Sequence, residues 1–139
     1  MVLAKDVLLL TQDILEVNFF KDFIPFYFMN FIPLISSSAL EELKDKSFNK
    51  AQIIFKHSPR CVISNMALSR LNKATEIADA DYYMLNVLTD KPLSNIVADD
   101  FNVHHESPQI LIIKNGECIY TESHNGITMA DIIDLMKHS

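Results

Sequence analysis

The chain has two cysteines, Cys61 and Cys118, and the chemistry open to it turns on where each one falls. Cys61 follows an apolar run, Ala51 to Phe55, and then His57-Ser58-Pro59; after it, Met66, Leu68, Leu71 and Ala74 recur at helical spacing to about Ala78. A sulfur at such a strand-to-helix junction sits among unpaired N–H groups and the positive end of the helix dipole, which favours its anionic, nucleophilic form. Arg60, immediately before it, adds a cation if its side chain folds back. Three residues on stands Ser64, giving Cys61-Val62-Ile63-Ser64, and a hydroxyl cannot close a disulfide. It either donates a hydrogen bond to the thiolate or caps the first helical turn. The chemistry of such a site is one-thiol exchange: Cys61 attacks a mixed disulfide, keeps the small thiol, and is freed by a second small thiol or a reductase. His57 is near enough in sequence to aid proton transfer, although a satisfied surface imidazole is the ordinary role of such a histidine.

The other reactive side chains carry less. His104, His105 and Glu106 are consecutive, so an extended chain points the two imidazoles to opposite faces and no metal site is expected. His124 reads as a surface imidazole, and the pairs Asp79/Asp81 and Asp99/Asp100 as solvated carboxylates in turns or at helix ends. No glycine-rich phosphate loop is present among the two glycines of the chain.

The elements that must position Cys61 follow from hydrophobic spacing. Phe31 to Ile35, interrupted by Pro33, reads as an edge strand. Ser36 to Ser38 offer N-cap oxygens, with Glu41 or Glu42 spaced for a capping box, ahead of a helix to about Lys46. Ala51 to Phe55 reads as a strand buried on both faces, and the helix after Cys61 leads to a further strand at Tyr82 to Val87. Pro92 and Ser94 to Asp100 predict a helix with Ile96, Val97 and Phe101 inward. Gln109 to Lys114 and Glu117 to Glu122 flank Asn115-Gly116, a strong hairpin signal. Thr128 then caps a last helix with Ile132, Ile133 and Met136 on one face. The order β α β α β α β β α predicts an α/β, thioredoxin-like fold, a mixed central sheet flanked by helices.

In that order, Glu106-Ser107-Pro108-Gln109 places exposed backbone beside Cys61, an edge that can pair with an extended substrate segment. Cys118 lies past the Asn115-Gly116 turn at the far end of the hairpin, roughly 23 Å of strand away. Disulfides need Cα atoms within about 7 Å, so Cys118 is expected to pack rather than resolve.

Composition sets the outer bounds. The 139 residues suit one ordinary domain. The net charge of −6, with no cluster of lysines or arginines, disfavours nucleic acid and anionic membrane as partners. Two cysteines without CxxC or Cys/His spacing fit a reducing cytoplasm. The domain is expected over residues 29–139. Residues 1–28 read either as an over-called start ahead of Met29 or as an amphipathic helix, Asp6 to Phe23, that docks on the domain. Their apolar runs are too short or too interrupted for a signal peptide or a span.

Three stretches carry a resemblance: Phe55-Lys56-His57-Ser58 leading to Cys61-Val62-Ile63-Ser64, then Pro92-Leu93-Ser94-Asn95, then Val103-His104-His105-Glu106-Ser107-Pro108-Gln109. From about Met29 to its end the chain resembles the monothiol bacilliredoxin family of the YtxJ type, bacilliredoxin C. The resemblance implies a thioredoxin fold, Cys61 as nucleophile, a cis-proline at Pro108, and removal of bacillithiol from mixed disulfides on cytosolic proteins. Bacillithiol then enters as a co-substrate with no bound cofactor, Glu106, Ser107 and Pro108 contact substrate, and a monomer is expected. The alternative is a non-catalytic thioredoxin-like module that binds proteins or senses oxidants. Arg60 and Val62 depart from the family's usual Thr-Cys-Pro-Ile-Ser, and Ser123-His124-Asn125 from its Ser-His-Trp.

Overall fold

The computed structural model describes residues 29–139; both expectations for residues 1–28 fall outside the described residues. Among the described residues five strands form one sheet: β1 (Ile32–Pro33), β2 (Gln52–His57), β3 (Asp81–Asn86), β4 (Gln109–Lys114) and β5 (Glu117–Ser123), in the spatial order β1-β3-β2-β4-β5. β1, β3 and β2 run parallel, while β4 lies antiparallel to β2 and to β5. Pro33, which has no N–H for a ladder, sits on the outermost strand.

Four helices among the described residues cover the sheet: α1 (Ser37–Lys46), α2 (Val62–Asn72), α3 (Lys91–Asp100) and α4 (Met129–His138). The alternation of side chains along β4 shows why two layers are needed. Ile110 and Ile112 pack with Phe55, Ala67, Leu71 and Ile132, whereas Leu111 and Ile113 pack with Leu40, Leu43, Ile54 and Val97. α2 and α4 therefore cover one face, and α1 and α3 the other. Each fully buried leucine or isoleucine in these layers contributes about 1.5–3 kcal/mol of transfer free energy.

Local chemistry sets most helix starts. Ser36 accepts from the Ala39 N–H, Asp90 from that of Leu93, and Thr128 from that of Asp131. The capping box expected with Glu41 or Glu42 is absent, because the cap is Ser36 and its third helical residue is Ala39. Two further boundaries and two buried faces differ from the sequence reading. β2 continues through Lys56 to His57, with all six of its residues buried. α2 ends at Asn72 rather than near Ala78, since the chain must reverse to begin β3 beside β2, where the Asp81 N–H donates to Ala51 O. The buried face of α2 is Ser64, Ala67 and Leu71, leaving Met66 exposed; on α3, Val97 and the following Phe101 are buried while Ile96 faces outward. The hairpin turn forms as its sequence predicts, with Asn115 and Gly116 at φ of 53° and 78°.

Candidate active site

Cys61 is the N-cap of α2, in extended conformation at φ −96° and ψ 123°. Its own N–H donates to Ser58 O and its carbonyl accepts from the Asn65 N–H. No side chain among the described residues caps this helix, so the half-buried, free thiol stands at an N-cap whose first-turn amides have no side-chain acceptor. A partial positive charge beside the sulfur follows.

Ser64 does not do what either sequence reading supposed. Its side chain is fully buried, and Oγ lies 2.6 Å from His57 Nδ1 and 3.0 Å from the Ser58 N–H. It makes no hydrogen bond to Cys61 and does not cap α2. Among the described residues Nδ1 is the one acceptor within reach of the Ser64 hydroxyl proton, which fits a neutral imidazole protonated on Nε2. His57 is accordingly no surface residue. It is 5% exposed, stacks on the Phe55 ring at a centroid distance of 5.5 Å, and is held below the usual histidine range by burial. Arg60 is exposed and does not fold back into a hydrogen bond with Cys61.

The Ser107-Pro108 peptide is cis, and Pro108 O accepts from the His124 N–H. Among the described residues, Ser107 N–H and C=O have no hydrogen-bond partner, and Ser107 Oγ is buried without one. Glu106 lies between two imidazoles, 3.8 Å from His104 Nε2 and 3.7 Å from His124 Nε2. No group of three metal-type ligands with metal-holding geometry occurs among the described residues. Val62, Ile63 and Met66 are exposed around the thiol at 72%, 41% and 52%. Cys118 is half-buried on β5 opposite Ile113, near the hairpin turn, and burial pushes its thiol up; neither cysteine is in a disulfide.

Sequence reasoning missed a second polar cluster, on the other side of β2. Lys56, at 0% exposure, places Nζ 3.0 Å from Ser94 O and 3.1 Å from His105 Nδ1. Ser94 Oγ lies 3.1 Å from the same ring nitrogen. With no carboxylate paired to it among the described residues, burial pushes Lys56 down to about 8. Its signal was present: a lysine continues the apolar run of β2 before the strand ends.

Comparison with known proteins agrees with this geometry. A solved structure described as having a thioredoxin fold is 34% identical, at a TM-score of 0.66, covering 74% of this chain and 90% of that one. Thioredoxin from Schistosoma mansoni superposes with a TM-score of 0.59 at 20% identity, covering 81% of this chain and 97% of that one. A thioredoxin variant from Halobacterium salinarum gives 0.60 at 15%, covering 81% and 92%. These two support the fold alone. The model of the family described as monothiol bacilliredoxin BrxC matches residues 32–132. That match takes in Cys61, the cis-proline and the polar clusters on both sides of β2, and the chain belongs to the monothiol bacilliredoxin family, thioredoxin-fold proteins of thiol-disulfide redox chemistry.

Proposed function

We propose that this chain is a monothiol thiol-disulfide oxidoreductase that removes bacillithiol from mixed disulfides on cytoplasmic proteins, acting as a monomer with Cys61 as nucleophile. The observation that carries the reading is Cys61 at the open N-cap of α2 with a buried, engaged serine at the position of a resolving thiol. The Cys61 thiolate attacks the bacillithiol sulfur; the protein thiolate leaves and takes a proton, and Cys61 holds the adduct. A second bacillithiol thiolate attacks that adduct, releasing the bacillithiol disulfide and restoring the Cys61 thiolate. Ser107, with its free backbone N–H and C=O, and Pro108 form the edge on which the substrate segment lies, and Glu106 lines it. Arg60 adds positive charge on the solvent side. His57, through Ser64, supports the first turn of α2 rather than exchanging protons with Cys61.

Incubation with an S-bacillithiolated protein, followed by mass spectrometry, is expected to show the adduct moved to Cys61, with none on Cys118. No transfer to Cys61 would sink the reading. The exposed Val62, Ile63 and Met66 favour one alternative, a binding module that holds partners by apolar contact. Partners retained by a Cys61→Ala variant would support that module, whereas partners trapped only through disulfides support the enzyme.

A further inference from the structure

The three sequence stretches that distinguish this chain, 55–58, 92–95 and 103–109, converge on one buried cluster. Lys56 on β2 and Gln109 on β4 are register partners in the antiparallel ladder, so their side chains stand together on the face covered by α1 and α3. Both are buried, at 0% and 3% exposure. Between them they grip three consecutive residues of the segment that precedes the cis-proline. Gln109 Nε2 donates to His104 O at 2.9 Å. Lys56 Nζ lies 3.1 Å from His105 Nδ1. Glu106 N–H donates to Gln109 Oε1 at 3.3 Å. The other contact of Lys56, to Ser94 O at 3.0 Å, fixes the cluster to the first turn of α3.

Stability does not account for a lysine here. A buried ammonium without a carboxylate is costly, and an apolar side chain of similar length would fill the space at lower cost. Its three donors instead let it hold a helix carbonyl and a loop imidazole at once. The next residue along the gripped segment is Ser107, whose backbone N–H and C=O are unpaired.

We propose that Lys56, acting through His105 and alongside Gln109, is a positioning residue that holds segment 104–106 so that Ser107 is presented to the substrate. This rests on the reading of Ser107 and Pro108 as the substrate edge. Lys56 touches neither the reacting sulfur nor its helix, so its effect is on substrate binding and not on the nucleophile.

The test uses the full chain with Lys56→Met and His105→Ala. The second variant alters an exposed residue and keeps the fold if the first does not. For both, KM for an S-bacillithiolated protein is expected to rise about tenfold while kcat stays within about twofold. The rate of Cys61 alkylation by iodoacetamide against pH is expected to be unchanged. Amide exchange is expected to accelerate at least tenfold at Glu106, whose N–H is the one amide of the segment with an acceptor among the described residues, and to stay as in the wild type in α2 and β3. An unchanged KM and unchanged exchange at Glu106 in both folded variants would overturn the proposal. So would a shifted alkylation profile with KM unaltered, which would make Lys56 an electrostatic partner of Cys61. Amide exchange needs no substrate, so it decides the clamp by itself; a wild-type protein that fails to accept the adduct counts against the exchange chemistry, not the clamp.

Discussion

Ser64 Oγ and His57 Nδ1 lie 2.6 Å apart, joining the first turn of α2 to the end of β2 beneath the solvent-facing thiol. Ser64→Ala leaves that buried nitrogen and the Ser58 N–H without their partner. The expected loss is about 1–3 kcal/mol of stability, read from urea unfolding. Because the hydroxyl does not touch Cys61, the alkylation rate of the thiol should change by less than about threefold.

Ser64→Cys puts a thiol in the resolving position at nearly constant volume. The adduct on Cys61 should then leave by internal closure, and intact-mass analysis should find a protein two hydrogens lighter in place of the bacillithiol adduct. A persisting adduct would show that the buried position cannot reach Cys61 without disrupting the first turn.

His57 also predicts an acid limb in stability. Burial lowers its proton affinity in the native state relative to the unfolded chain. The unfolded state therefore binds more protons as pH falls through its value of about 6.5, and stability drops from there towards the lower native value. His105 is shifted the same way, by burial first and then by the Lys56 charge. Thermal unfolding between pH 7 and pH 5 should show a smaller decline in His57→Asn than in the wild type.

The linkage of Lys56 appears at the opposite end of the scale. Its native value of about 8 lies below the ordinary 10.5. Between those values the unfolded chain keeps a proton that the native state releases, so stability rises with pH across that window. Below it, the charged lysine costs the native state on the order of 3 kcal/mol. Two hydrogen bonds to the charged ammonium return about 1.5 kcal/mol each or more, so the gain and the cost nearly cancel and Lys56→Met should stay within about 1–2 kcal/mol of the wild type at pH 7. The rise above pH 8 should vanish from its denaturation midpoints.

Gly116 is at φ 78°, and a Cβ added there would come within 3.2 Å of the Phe48 ring. Its N–H also donates to Ser47 Oγ at 2.8 Å, just past the end of α1. Gly116→Ala combines left-handed strain of about 1 kcal/mol or more with a ring displacement, and should lower the urea midpoint without altering exchange at Cys61.

The order of elements was legible because apolar periodicity and turn chemistry agreed, most clearly at Gln109–Lys114, Asn115-Gly116 and the Thr128 cap. What escaped was the buried polar chemistry. The strand reads as ending at Phe55, when in fact Lys56 and His57 are both inside it on opposite faces. Periodicity places side chains on a face but says nothing of which partners satisfy them there. For the same reason the Ser64 hydroxyl reads as either a donor to the thiolate or a cap of the first turn, while its partner sits seven residues back. Met66 misled by hydrophobicity alone, since the face of α2 that packs is lined by Ser64, Ala67 and Leu71.

The margins of the sheet bear on how this protein stays out of aggregates. At one rim β1 is two residues long and carries Pro33, so an incoming strand finds little ladder to extend. At the other, β5 bears Glu117 and Glu122, and the β4–β5 register slips between Ile112 and Ile113, which twists that rim away from a flat template. Neither margin invites sheet-to-sheet polymerisation. The protein can therefore meet other chains without seeding fibres of its own.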